Sequence, residues 1–111
     1  MIKKSICILI IFLLSSFSLA LADEIARGKA LYNDPKLGGG TRGKSCASCH
    51  PESSAARWLN KKEYSIMGNN AKSIEEAVNI CIKNAMGGKG LDAKSADMKA
   101  LVAYIKSLSK K

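Results

Sequence analysis

Cys46-Ala47-Ser48-Cys49-His50 is the stretch of sequence that decides the fold of this chain. Two thiols three positions apart, followed at once by an imidazole, form the pattern to which a c-type haem is attached. Cys46 and Cys49 would each add across one vinyl group of the porphyrin. His50 would then offer a ring nitrogen to the iron as the proximal ligand. The motif therefore predicts one covalently attached haem c.

Two other kinds of site also use closely spaced cysteines. A structural zinc site needs four ligands, whereas this sequence has one histidine and its remaining cysteines are Cys7 and Cys81. Cys7 lies in a segment that we expect to be removed. A thioredoxin-type dithiol belongs to a βαβ unit, and the sequence carries no such pattern. Haem attachment is the interpretation that the sequence favours.

The amino terminus has the composition of an export signal. Lys3 and Lys4 form a basic region, residues 6–14 are apolar, and a tail of small residues ends in Ala20-Leu21-Ala22. The apolar run is shorter than the roughly 20 residues that a membrane span requires. We therefore expect residues 1–22 to be a cleaved signal peptide.

The rest of the chain, residues 23–111, is expected to be a single small domain without a membrane span. Short domains bury a small share of their surface, and the aromatic residues here are few: Tyr32, Trp58, Tyr64 and Tyr104. A haem would supply the large apolar body that these side chains lack, so folding should depend on it. Haem is attached to this motif outside the bacterial cytoplasm, which predicts a periplasmic or secreted protein.

Apolar residues at helical spacing predict three main helices joined by glycine-rich loops. They run from about residue 23 to 32, from 74 to 85, and from the N-cap at 95 to about 108. Ser73 and Glu76 form a capping box before the second of them. A short helical turn starts at the haem motif. Because no stretch alternates apolar and polar residues for long enough to predict a strand, the expected fold class is all-α.

Two of the predicted helices carry a clear apolar face. The middle helix presents one stripe, which consists of Ile74, Ala77, Val78, Cys81 and Ala85. The last helix directs another set inward, which consists of Met98, Leu101, Val102, Ile105 and Leu108. A long polar connection, residues 51–72, separates the haem motif from the middle helix.

The order of these elements around the haem motif resembles that of a class I cytochrome c. Gly28 and Tyr32 resemble the glycine–aromatic pair of that family's first helix. Leu101 and Tyr104 resemble the leucine and the aromatic residue of its last helix. In the family these two helices cross at near right angles, and the glycine permits the close approach. The resemblance implies a small all-α fold wrapped around one covalent haem.

A narrower resemblance covers residues 46–108. Asn79-Ile80-Cys81, the turn Gly87-Gly88-Lys89-Gly90-Leu91 and Ala103-Tyr104-Ile105 resemble the cytochrome domain that thiosulfate dehydrogenase shares with a cytochrome of the bacterial sulfur-oxidation system. The chain also departs from that pattern. It has one haem motif, where those enzymes often carry two haems, and it lacks the arginines that usually surround the cysteine.

Three residues compete for the sixth position on the iron. Met86 lies at the distance from Tyr104 at which class I cytochromes carry their distal methionine. Cys81, on the apolar stripe, corresponds to a haem-ligating thiolate of the sulfur-oxidation relatives. Met67 lies in a loop that is able to swing over the haem. A neutral thioether favours ferrous iron and suits an electron shuttle, whereas a thiolate favours ferric iron and offers a nucleophilic sulfur.

The charge balance points to the kind of partner. The sequence has 18 Lys and Arg against 9 Asp and Glu, a net charge of +9. A basic surface steers association with an acidic redox protein, while an exported chain without interleaved aromatic residues does not fit a nucleic-acid partner. Trp58 or Arg57 is expected to hydrogen-bond a haem propionate.

We therefore expect a periplasmic monohaem c-type cytochrome that carries single electrons between redox partners, and we favour this role over that of an enzyme. Met86 is the expected distal ligand. An alternative is a haem enzyme, or a subunit of one, that oxidises thiosulfate or other sulfur compounds through Cys81. A sensor with an open sixth position is the third alternative.

Overall fold

The structure, a computed structural model, describes residues 19–59 and 61–108. Four α-helices lie in this part of the chain: residues 19–32 (α1), Cys46–Cys49 (α2), Ile74–Asn84 (α3) and Ala96–Leu108 (α4). Two short 3₁₀ helices, Leu37–Gly39 and Glu52–Trp58, precede and follow α2. An antiparallel hairpin of two strands, Tyr64–Ile66 (β1) and Asn69–Ala71 (β2), comes before α3.

Helix α1 differs from its predicted bounds at the amino end. Residues 19–22 are already helical, so the predicted start at Asp23 is wrong. Leucine and alanine are strong helix formers, and Leu19-Ala20-Leu21-Ala22 continues the helix backwards. Most of the predicted signal peptide, residues 1–18, lies outside the described residues, and its cleavage stays a prediction. Among the residues that the structure describes, none of the helices combines the length and the hydrophobicity of a membrane span.

The hairpin corrects the expectation of a purely helical fold. Its strands pair Tyr64 with Ala71 and Ile66 with Asn69. Each strand has three residues, which is too short for an alternating pattern to be recognised in the sequence. The turn between the strands is Met67-Gly68, not the Asn-Gly or Asp-Gly pair that signals a hairpin. The domain is therefore mostly helical, with one small sheet.

The predicted helix caps are present. The Ser73 hydroxyl accepts a hydrogen bond from the Glu76 backbone N–H at 3.1 Å. The Glu76 carboxylate accepts in turn from the N–H of Lys72 at 2.8 Å, one residue before the position that a standard capping box uses. At the start of α4, the Ser95 hydroxyl accepts from the Met98 N–H at 3.2 Å. These bonds satisfy backbone donors that have no partner within the helix.

Helices α1 and α4 pack closely at Gly28. A Cβ atom at this position would lie 2.7 Å from the Cβ of Tyr104, and it would also collide with the backbone carbonyl of Ala100. The rings of Tyr32 and Tyr104 meet edge to face, with their centroids 5.3 Å apart. The close approach expected from the cytochrome resemblance is therefore present, and the missing side chain of Gly28 permits it.

The hydrophobic core joins α1, α3 and α4. Its buried members are Tyr32, Leu37, Ile82, Met86, Leu101, Tyr104, Ile105 and Leu108. All five residues predicted to face inward from α4 are buried. In α3, the buried residues are Ala77, which belongs to the predicted stripe, and Ile82, which does not.

Candidate haem site

The predicted stripe of α3 lines a cavity. The cavity has a volume of about 290 Å³, near the lower end of the range of about 300–1,000 Å³ for small-molecule sites. Its walls come from the haem motif, the hairpin, α3 and the start of the following loop. All five residues of the stripe take part: Ile74, Ala77, Val78, Cys81 and Ala85. The stripe is apolar because it faces a space that a ligand would fill.

Helix α2 presents the two thiols of the haem motif to this cavity. Cys46 and Cys49 are about one helical turn apart, which places them on the same face of the helix. The N–H of His50 donates to the carbonyl of Cys46 at 2.9 Å and closes the turn. At its start, the N–H of Ser45 donates to the hydroxyl of Ser48 at 3.0 Å. All three residues predicted to hold the haem line the cavity.

His50 is held from two sides. The Tyr32 hydroxyl donates to its backbone carbonyl at 2.6 Å. The ring of Trp58 stands perpendicular to the imidazole, with the centroids 4.9 Å apart. Burial lowers the pKa of His50, which favours the neutral imidazole, the form that binds metals. Sequence reasoning missed the contact with Tyr32, because it joins residues that are distant in the chain.

Three thiols of the described chain face the same cavity. Burial raises the pKa of Cys46 to about 11, and the nearby Cys81 adds to this shift. Burial also raises the pKa of Cys81, with a smaller contribution from Cys49. Both shifts favour the protonated thiol at Cys46 and Cys81. Their mutual influence agrees with the shared position of all three on the cavity wall.

Met86 and Cys81 both lie on the cavity wall. Met86 is only 2% exposed, and its backbone is held by two chain segments. Its N–H donates to the carbonyl of Cys81 at 3.2 Å, while its carbonyl accepts from the N–H groups of Thr41 and Arg42 at 2.9 and 3.2 Å. The loop that contains Thr41 therefore fixes the position of Met86 from across the fold.

Met67 lies elsewhere. It occupies the turn of the hairpin, its side chain is 56% exposed, and it is not among the described residues that line the cavity. The structure thus brings two of the three candidate distal ligands, Met86 and Cys81, to the cavity that contains His50.

The two candidate propionate partners are also separated. Trp58 lines the cavity, whereas Arg57 is exposed and is not among the described lining residues. Lys44 and Lys61 line the cavity as well. Both belong to the set of lysines that the sequence suggests could surround the haem edge, which consists of Lys36, Lys44, Lys61, Lys62, Lys72, Lys83, Lys89 and Lys94.

Asn79, two positions before Cys81, binds the loop that follows α3 through its side-chain amide. Its side-chain amide donates to the carbonyl of Leu91 at 2.8 Å, and its side-chain oxygen accepts from the N–H of Leu91 at 2.8 Å. This pair of bonds ties the loop after α3 back onto the helix. Asn79 therefore positions the loop that contains Met86.

The donor set and the cavity fit a covalently bound haem. Two thiols one helical turn apart stand beside a neutral imidazole, and apolar α3 side chains and two further sulfur-containing residues line the same cavity. Thioether bonds need the thiols, and six-coordinate iron needs the imidazole and a second ligand. The site therefore defines a c-type cytochrome domain with covalently bound haem c.

Comparison with known proteins places the domain in a family. The sequence pattern described as "SoxA/TsdA, cytochrome c domain" matches residues 27–111. The chain belongs to this family, and the match includes every residue of the candidate site.

Two curated proteins are similar to the chain. A thiosulfate dehydrogenase from Psychrobacter arcticus is 37% identical over 73 residues, a match that covers 59% of this chain and 22% of that protein. The L-cysteine S-thiosulfotransferase subunit SoxA from Rhodovulum sulfidophilum is 29% identical over 89 residues, a match that covers 78% of this chain and 30% of that protein. The chain thus spans less than a third of the length of either relative. No solved structure gives a significant match.

Proposed function

We propose that this protein is a periplasmic monohaem c-type cytochrome that carries single electrons during the oxidation of inorganic sulfur compounds. One observation supports the proposal above all: the attachment thiols, His50 and the buried Met86 line the same apolar cavity. When bound, the haem supplies a reversible one-electron couple. The residues around it determine its potential and its access to solvent.

Met86 is the distal ligand in this proposal. A carrier needs the same ligands in both oxidation states, and the hydrogen bonds from Thr41 and Arg42 hold the backbone of Met86 in one place. A neutral thioether stabilises ferrous iron and raises the potential. The apolar stripe of α3 would exclude water from the haem cavity, which further disfavours the more highly charged ferric state.

A carrier role agrees with the number of haem motifs. The sequence contains one Cys-x-x-Cys-His motif, so the chain holds one electron at a time. Joining two sulfur atoms in a disulfide-like bond releases two electrons, and a single haem does not accept both. The similarity to a thiosulfate dehydrogenase and to a thiosulfotransferase subunit supports a role in sulfur oxidation. The net positive charge of this chain suits an acidic redox partner.

The distal ligand is tested on the holoprotein with two variants, Met86→Leu and Cys81→Ala. We expect Met86→Leu to abolish the weak long-wavelength absorption band of methionine-bound ferric iron and to lower the reduction potential. Cys81→Ala is the matched control, because it removes the other sulfur of the same wall, and it should retain both the band and the potential. The opposite pattern would contradict the proposal.

A second candidate function is an enzyme, or part of an enzyme, of sulfur oxidation that uses Cys81. The observation in its favour is that Cys81 stands on the cavity wall near the haem motif, within the Asn79-Ile80-Cys81 motif. Incubation of the purified holoprotein with thiosulfate and a soluble electron acceptor separates the two functions. Steady-state turnover that Cys81→Ala abolishes, with haem retained, would establish the enzyme and overturn the carrier.

A further inference from the structure

The backbone conformation of the hairpin turn is one that methionine rarely adopts. Met67 and Gly68 connect β1 to β2, and both have positive φ angles, 48° and 80°. This two-residue turn favours Asn-Gly or Asp-Gly, because only glycine and short polar residues adopt positive φ easily. A methionine in the first position is strained, since its Cβ lies close to the backbone carbonyl. Folding alone does not account for a methionine here.

The same methionine is exposed to solvent. The large hydrophobic side chains that are exposed in the described residues are Leu19, Leu21 and Met67. Leu19 and Leu21 lie in the predicted signal peptide. Met67 is therefore the exposed large hydrophobic residue of the described domain beyond that segment. A residue that is both strained and exposed points to a role outside folding.

Met67 lies next to residues that line the haem cavity. All three residues of β1 line the cavity, and Met67 directly follows them. Lys44 and Lys61 line the same cavity. An exposed apolar side chain thus stands at the end of a strand that lines the haem cavity, and two exposed lysines line that same cavity.

We propose that Met67, Lys44 and Lys61 form a docking surface for an acidic redox protein. This inference rests on the proposed carrier function. Protein interfaces have an apolar centre and a polar rim, and methionine is enriched at such centres. Its flexible thioether adapts to more than one partner surface. The lysines attract carboxylates and speed the encounter, while Met67 supplies the short-range contact beside the haem.

The test uses the holoprotein adsorbed on gold electrodes coated with organic monolayers as a defined partner surface. One monolayer mixes carboxylate and methyl end groups, and the other mixes carboxylate and hydroxyl groups. The wild-type protein should adsorb more tightly on the first. Met67→Asn should lose this preference and adsorb about tenfold less tightly there, the usual effect of removing one central contact. Its thermal stability should rise, because asparagine tolerates positive φ.

Charge variants complete the design. Lys61→Gln should weaken adsorption on both monolayers, whereas Lys99→Gln, an exposed residue of α4 that is not part of the cavity lining, is the matched control and should not. Equal adsorption of Met67→Asn and wild type on the methyl-containing surface would overturn the proposal. Preferential binding to vesicles of anionic lipid, lost in Met67→Asn, would also overturn it and assign the surface to a membrane.

Two further measurements separate this proposal from the carrier function. Met67→Asn should retain the absorption spectrum and the reduction potential of the wild type. A changed ferric spectrum would make Met67 an iron ligand and would overturn the docking role. The carrier function fails separately, if the wild-type protein shows no reversible one-electron couple with soluble mediators.

Discussion

Replacement of Gly28 by alanine tests the contact on which the whole arrangement of helices depends. Gly28 lies in α1 where that helix meets α4. A Cβ atom would lie 2.7 Å from the Cβ of Tyr104 and would overlap the carbonyl of Ala100. Neither atom belongs to a flexible side-chain end, so no rotamer change relieves the collision. The two helices must move apart.

Opposing contributions determine the size of the effect. Alanine gains about 1 kcal/mol over glycine in a helix interior. Overpacking of a tight contact costs about 1–3 kcal/mol or more, and here backbone atoms are involved. Separation of the helices also weakens the edge-to-face contact of Tyr32 and Tyr104, a pair worth about 0.5–1.5 kcal/mol. We expect a net destabilisation of roughly 2 kcal/mol and a Tm lower by about 10 °C.

The assay is thermal and denaturant unfolding of the holoprotein, followed by far-ultraviolet circular dichroism. Lys29→Ala is the matched control, because it introduces the same residue at an exposed position of the same helix and should change stability by less than about 0.5 kcal/mol. If Gly28→Ala were as stable as the wild type, or more stable, the close approach of α1 and α4 would not be required. The account of Gly28 would then be refuted.

Two other predictions concern the side chains of Asn79 and Tyr104. Asn79→Ala leaves the N–H and the carbonyl of Leu91 without their partner and should lower the free energy of unfolding by about 1–3 kcal/mol in denaturant titrations, whereas unchanged stability would mean that the loop is held by other contacts. Burial, with a smaller effect of the hydrogen bond to Glu52, raises the pKa of Tyr104 from 10.0 to about 12. The stability that the protonated Tyr104 contributes is therefore complete below pH 10 and is lost as the pH rises to about 12. Tyr104→Phe should remove this part of the loss, and an unaltered pH dependence of unfolding would contradict it.

Elements with a strong local signal were predicted well. Helix α4 begins after Ser95 and buries the five residues that its apolar spacing indicates. The bounds of α3 agree to within one residue. These features follow from helical periodicity and from caps, which depend on residues close together in the chain. The hairpin was missed because its strands have three residues each and its turn lacks the usual sequence.

The parts of the candidate site that are close together in the sequence were predicted, whereas the contacts between distant residues were not. Cys46, Cys49 and His50 are consecutive or nearly so, and their spacing alone indicates haem attachment. The stripe of α3 was recognised as an inward face, but the sequence does not distinguish a face that meets protein from one that meets a cofactor. The contact of Tyr32 with the carbonyl of His50 spans 18 positions, and no local pattern indicates it.

The sequence by itself determined that this chain attaches one haem, because the thioether bonds and the proximal ligand require residues at a spacing that a single helical turn sets. It also determined the three main helices, because periodicity and capping are local properties. Only the tertiary structure decided which sulfur atoms share the cavity with His50. Met86 and Cys81 reach it, while Met67 remains at the surface on the hairpin turn. That outcome depends on how α3, the hairpin and the loop at Thr41 pack together, and packing between distant segments is a property of the folded chain.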